Sequence, residues 1–138
     1  MVFEEKQRFR QKSLWTFLIL FHLISISYLS YLRDFAGASF LLVSLIAVSS
    51  LFYYAELRVK VEADGIKVRF YPFHLTTRVI EYDQIKDFSA EKYSPLKEFG
   101  GWGLRWRPGK FAYNVSGNQG LRVKKKNGRE VMIGSQKP

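Results

Sequence analysis

The sequence predicts a membrane α plus all-β chain: an N-terminal two-helix transmembrane hairpin, then a small antiparallel β sandwich or barrel of about seven strands. Three observations predict it. Two apolar runs, Leu14–Leu32 and Phe35–Ala55, contain no Asp, Glu, Lys or Arg and are separated only by Arg33 and Asp34. From Glu56 onward the pattern changes to apolar–polar alternation, the period of a half-buried strand. Turn signals, including Asp64-Gly65, Pro108-Gly109 and Asn127-Gly128, punctuate that second region, and Asp-Gly and Asn-Gly are the strongest short hairpin signals.

Each run is long enough to span. A helix rises 1.5 Å per residue, so about 20 residues cross about 30 Å of hydrocarbon. The first run exceeds the 7–15 residues typical of a signal-peptide core, has no Ala-x-Ala ending and leads straight into the second run, which marks a retained anchor. Lys6, Arg8, Arg10 and Lys12 precede the first run and Arg58 and Lys60 follow the second, while the connecting turn holds one Arg beside one Asp. The positive-inside rule then places both termini in the cytoplasm of a multi-pass protein of the cell (plasma or inner) membrane. Trp15, Tyr28, Tyr31, Tyr53 and Tyr54 fall near the expected interfaces, where amphipathic rings anchor helices. Within the spans, His22 shares a helical face with Ser25, and Gly37, Ser44 and Ala47 form a small-residue stripe on the second helix. Small residues admit close helix approach and polar ones bond across it, so these five residues are expected at the helix–helix contact. A single His without an acidic partner in either span suits hydrogen-bonded packing better than a proton relay.

The strands follow in order. Leu57, Val59 and Val61 alternate with Arg58, Lys60 and Glu62; after Asp64-Gly65, Ile66, Val68 and Phe70 alternate with Lys67, Arg69 and Tyr71. Pro72 and His74 mark a loop. Further strands are expected at 78–82, 85–92, around Trp102, Leu104 and Trp106, at 111–113, 121–126 and 129–133. The domains read as 1–55, a basic cytoplasmic N-terminus with spans at 14–32 and 35–55, and 56–138, a cytoplasmic β domain.

The segments Phe99-Gly100-Gly101-Trp102-Gly103-Leu104-Arg105, Ala112-Tyr113-Asn114-Val115-Ser116-Gly117-Asn118 and Ile133-Gly134-Ser135-Gln136-Lys137-Pro138, placed after a helical hairpin, resemble those of the bacterial pleckstrin-homology-like two-helix membrane proteins, a group of uncharacterised function. The resemblance implies a pleckstrin-homology-like fold for the β domain and no particular activity. That fold closes one barrel end with a C-terminal helix; here such a helix is apparently absent, since the sequence reaches Pro138 where it would begin. An uncovered end exposes apolar core and strand edges, so association of the isolated domain is expected.

Candidate sites follow from charge. Residues 56–138 carry 17 Lys plus Arg against 9 Asp plus Glu, a formal +8. Lys60, Lys67 and Arg69 have the spacing K-x6-K-x-R, which resembles the phosphoinositide-binding pattern of eukaryotic pleckstrin-homology domains, and Arg122, Lys124 and Lys126 with Arg129 form a second cluster. Both are candidate anion or lipid sites, because a membrane-tethered basic domain gains about 1 kcal/mol per cation near an anionic leaflet. The competing reading is a solvated strand face. Gly100-Gly101-Trp102-Gly103 reads as a bulge or tight corner rather than a phosphate cradle, with Trp102 and Trp106 in the core. Glu91 and Glu98 read as surface carboxylates.

Cysteine is absent, which excludes disulfides and thiolate chemistry. No Ser/His/Asp grouping, zinc-protease motif or phosphate loop is present, so no enzyme, cofactor or metal is expected. Nucleic acid is not expected either: helix-turn-helix, zinc-ligand and RNP-type patterns are missing. The expected function is a membrane-anchored interaction or scaffolding module with membrane lipid and a protein partner or a second copy of itself. The alternative is a subunit of an oligomeric transport or channel complex that uses His22.

Overall fold

A computed structural model describes residues 3–137. The chain forms two compact units, one of residues 9–54 and one made of the residues up to Arg8 together with those from Ala55 onward.

The first unit is a helical hairpin, α1 (Lys12–Tyr31) and α2 (Phe35–Tyr54). Both helices are long and apolar enough to cross a membrane. Leu18, His22 and Ala38 are buried, and Trp15, Ser25 and Leu29 on α1 and Leu41, Leu45, Val48 and Phe52 on α2 are partly shielded from solvent. Their 3–4 spacing is that of a seam between two packed helices. Outside the seam the surface is apolar and exposed, including Phe17, Phe21, Ile24, Phe40, Val43 and Ile46. α1 ends with Arg33 at φ 59, and the amides of Arg33 and Asp34 reach back to Ser30 O (3.0 Å) and Leu29 O (2.9 Å), a Schellman-like closure. Asp34 Oδ1 then accepts from Gly37 N at 3.0 Å and caps α2.

Among the described residues the second unit contains nine strands in two sheets. The first sheet has the order β1 (Phe3–Arg8), β2 (Glu56–Glu62), β3 (Gly65–Tyr71), β4 (Arg78–Glu81), all antiparallel. The second has the order β5-β8-β9-β7-β6, from β5 (Ile85–Lys92), β6 (Gly103–Arg107), β7 (Lys110–Asn114), β8 (Gln119–Lys125) and β9 (Glu130–Gly134). A 3-10 turn, Tyr82–Gln84, links β4 to β5, and α3 (Pro95–Phe99) links β5 to β6. Among the described residues no helix follows β9; Pro138, where the closing helix was expected to begin, lies outside them.

Three differences from the sequence reading have physical causes. First, residues 3–8, expected as part of a basic tail, are β1, paired with β2 from Phe3↔Val61 to Arg8↔Glu56. The residues that β1 buries are Glu5 and Gln7, 8% and 3% exposed, so its inward face carries no apolar alternation. Second, β7 and β9 are parallel, because β9 inserts between the β7 and β8 strands, which makes the second sheet mixed. Third, the β2–β3 loop is Ala63-Asp64, since Gly65 already pairs with Glu62. Gly65 is required there by its other neighbour: a Cβ would lie 2.4 Å from Ile80 O on β4.

Leu57, Val59, Ile66, Val68 and Phe70 form the buried face of the first sheet. Val123 and Val131 pair in register across β8 and β9 and are buried with Val115 and Ile133. On the opposite face of the second sheet, Ala112 and Met132 pack with Tyr93 and Phe99. Each fully buried aliphatic or aromatic side chain contributes about 1.5–3 kcal/mol of transfer free energy. Along one side the sandwich is tied by polar bonds: Gln7 Nε2 donates to Gly134 O (2.8 Å), and Glu5 accepts from Ser135 Oγ (2.6 Å) and Gln136 N (2.8 Å).

Candidate functional site

The outward faces of β2 and β3 carry the candidate anion site. Alternation directs Arg58 and Lys60 away from the core on β2 and Lys67 and Arg69 on β3. Register then sets Arg58 opposite Arg69 and Lys60 opposite Lys67. Like charges directly across a strand pair destabilise a sheet, and here two such pairs follow one another. Carboxylates stand at the ends of the row. Glu56 binds Arg58 Nη2 and Arg8 Nη2, both at 2.7 Å. Burial works to raise the Glu56 carboxyl, but its bonds to Arg58 and Arg8 outweigh that and hold it below the usual value. Lys67 Nζ lies 2.9 Å from Glu62 and 3.0 Å from Asp64, and these bonds, Glu62 first, raise its pKa. Lys60 meets Glu4 at 3.6 Å. In the middle of the row, the Nε atoms of Arg58 and Arg69 are buried without a hydrogen-bond partner. The four cations, with Glu62 and Thr77, line a cavity of about 270 Å³. The K-x6-K-x-R residues are therefore brought together, and Arg58, absent from that pattern, completes the set; its register with Arg69 was the signal.

The second basic cluster is not one site. Arg122 is the centre of an ion network, 12% exposed at its side chain. Its guanidinium binds Glu98 Oε2 at 2.8 Å and closely engages Glu91 and Glu130. Burial opposes its charge, yet the three carboxylates, Glu98 first, raise its pKa. Glu98 is held below its usual value: burial acts to raise it, and the bonds to Arg122 and to the Ser94 amide outweigh that. Three carboxylates already outweigh the single positive charge of Arg122, so it offers no net attraction to an added anion, and Glu91 and Glu98 are not simply solvated. Lys124 pairs loosely with Asp87 at 3.7 Å, and the Lys126 side chain has no ion-pair partner among the described residues. The convergence joins β5, α3, β8 and β9 and has no linear signature.

Of the five packing residues expected in the hairpin, His22 is buried, Ser25, Gly37 and Ser44 are partly shielded, and Ala47 is exposed. Ala47 falls outside the 38-41-45-48-52 seam. At Gly37 a Cβ would lie 2.4 Å from Asp34 Oδ2 and 3.1 Å from the Leu29 side chain, so the missing side chain serves the helix cap first. His22 Nδ1 lies 2.8 Å from Leu18 O, a contact one turn back along its own helix. The Gly100–Gly103 segment is a tight corner: Gly100, at φ 75, ends α3, and Trp102 Nε1 donates to Gly117 O at 2.9 Å. Neither tryptophan expected in the core enters it: Trp102 is 38% and Trp106 69% exposed, the latter because β6 is an edge strand. Among the described residues no group of His, Asp and Glu could hold a metal ion.

No protein-family model, curated protein or solved structure matches the chain. The functional reading therefore rests on the geometry.

Proposed function

We propose that the chain is a membrane-anchored interaction module: α1 and α2 span the cell membrane, and a pleckstrin-homology-like β domain lies at the cytoplasmic surface, binding anionic lipid through the outer face of β2–β3 and scaffolding a protein partner. The observation that carries it is the double row of opposed cations, Arg58/Arg69 and Lys60/Lys67, with two buried guanidinium Nε atoms unpartnered. Such a row costs stability in isolation, and departures of this kind from local rules concentrate at functional sites. Chain length supports a membrane ligand. Arg58 is four residues past Tyr54, the end of α2, so its backbone lies within about 14 Å of that helix end in any arrangement.

Two features support spanning. The helices leave most of their large apolar side chains exposed, unlike the core helices of a soluble protein, and such a surface requires lipid or other protein. The pairing of Arg8 with Glu56 requires the chain to return to the side it left, which suits two crossings and argues against a cleaved leader. Positive flanks then favour the cytoplasmic side.

The absence of cysteine makes the test direct. The full chain carrying Thr77→Cys, labelled with an environment-sensitive fluorophore, is inserted into phosphatidylglycerol-containing or pure phosphatidylcholine vesicles. Acrylamide quenching should be weaker in the anionic vesicles, and high salt or Lys60→Gln/Lys67→Gln/Arg69→Gln should restore it. Equal quenching in both vesicles overturns the lipid assignment. In intact cells, an impermeant maleimide should label Arg33→Cys and spare Thr77→Cys; the opposite pattern overturns the orientation.

A further inference from the structure

A second cavity, of about 560 Å³, opens into the β unit away from the basic row. Its volume lies within the 300–1,000 Å³ usual for small-molecule sites. Register explains why it exists. β4 has only four residues and pairs with β3 no further than Val68↔Arg78, so the sheets are left uncovered on the β4 side. Polar bonds from Glu5 and Gln7 tie the β1 side; no such tie is present at β4 among the described residues.

The lining divides cleanly. The floor is apolar: Val68, Ile80 and Val131 are buried, with the ring of Tyr113 beside them. Aromatic edges form one wall, with Phe111 and Tyr113 centroids 5.1 Å apart and His74 and Tyr113 5.5 Å apart in a T-shaped pair, the geometry that receives a further ring. The mouth is cationic. Arg78, Lys125 and Arg129 border it and have no ion-pair partner among the described residues. The one carboxylate in the lining, Glu130, is engaged by Arg122 and by Lys110 at 3.7 Å. His74 Nδ1 is buried there without a hydrogen-bond partner, and a buried polar atom left unsatisfied calls for a ligand or water.

We propose that this cavity binds a small aromatic carboxylate, its ring between Tyr113, Phe111 and the Val68–Ile80 floor and its carboxylate at the mouth between Arg78, Arg129 and His74. The guanidinium fork matches a planar carboxylate. The apolar floor restricts charge to one end of the ligand, which selects a ring with a single anionic head over a polyanion. Burial, and then the charge of Arg78, lower the His74 pKa in the free chain.

The test uses the full chain in detergent with benzophenone-4-carboxylate as photoprobe, uncharged benzophenone as control, and peptide mapping of the adducts. The carboxylate should label peptides containing 78–80 or 106–113. Arg78→Gln/Arg129→Gln, both at exposed positions, should lower that labelling about tenfold or more, a change of about 1.4 kcal/mol in affinity. Labelling by neutral benzophenone should be unchanged by these substitutions. Cooperative melting of each variant establishes that it folds. Adducts confined to α1 and α2, equal labelling of 78–80 and 106–113 by the neutral probe, or insensitivity of the carboxylate adduct to the double substitution would each overturn the assignment. Because this site shares no residue with the β2–β3 row, its failure leaves the lipid assignment standing, and the reverse.

Discussion

The two sheets of the β unit use the same residue types to opposite ends. On the outer face of β2–β3, four cations face one another across the register and carboxylates stand at the row's ends. On β8, one cation, Arg122, is enclosed by Glu91, Glu98 and Glu130. Both clusters look alike as sequence, short strands rich in Lys and Arg. What differs is which residues the register brings opposite them. In the first sheet cation meets cation across β2–β3, and the carboxylates of Glu4, Glu56, Glu62 and Asp64 reach the row only from its margins. In the second the carboxylates arrive from β5, α3 and β9, and the charge is consumed within the fold.

The largest test of that contrast is Arg122→Ala. Removing the guanidinium leaves three carboxylates converging at a partly buried point with only Lys110, 3.7 Å from Glu130, as a counterion. Breaking such a network by deleting one partner costs about 3–5 kcal/mol, read as a lower denaturation midpoint for the β unit in the full chain. A change under about 0.5 kcal/mol, the range of an ordinary surface substitution, would mean the cluster is solvated.

Acid should reveal the same network with a definite sign. The Glu98 and Glu56 carboxyls sit below their usual 4.5 in the folded chain. Their contribution is therefore complete above pH 4.5 and is lost as pH falls through the folded values, because the unfolded chain binds more protons in that window. In Arg122→Ala the sign at the cluster reverses: uncompensated carboxylates favour protonation, and mild acid should recover part of the lost stability. Thermal melts of both chains between pH 7 and about 3.5 read the two slopes, and parallel slopes would show that Arg122 does not govern Glu98.

Much of the fold was legible because its pattern is local. The apolar runs gave the helices, and alternation with turn residues placed β2, β3 and β5 to within a residue or two. The unread parts are those whose logic is non-local. β1 hides because Glu5 and Gln7 face inward, and their partners lie at Gly134, Ser135 and Gln136, at the far end of the chain. Trp106 was expected inside because it alternates like a core residue, yet β6 has no neighbour on one side. The anion row was half legible: spacing named Lys60, Lys67 and Arg69, and only the register adds Arg58.

The hidden strand supplies an intermediate effect. Glu5→Ala removes the acceptor for Ser135 Oγ and Gln136 N while leaving the ladder of β1 with β2 intact. Hydrogen bonds to a charged group contribute about 1.5–3 kcal/mol, and amide exchange should accelerate at Gln136 while remaining slow within β2–β3. Uniform acceleration across the first sheet would mean that Glu5 supports β1 itself.

The smallest effect is expected where the function is proposed. Lys60→Gln, Lys67→Gln and Arg69→Gln together remove the Glu4, Glu62 and Asp64 ion pairs, which as exposed bridges are worth about 0–1 kcal/mol each. They also relieve two cross-strand repulsions, whose cost has similar size and opposite sign. The terms nearly cancel, so denaturation in neutral detergent should change by less than about 1 kcal/mol. The same variant should lose its protection in anionic vesicles. A row that mattered only to folding would reverse this pairing, with a clear loss of stability and no change at the membrane; that outcome would place the row with Arg122 as an internal network and remove its claim to a ligand.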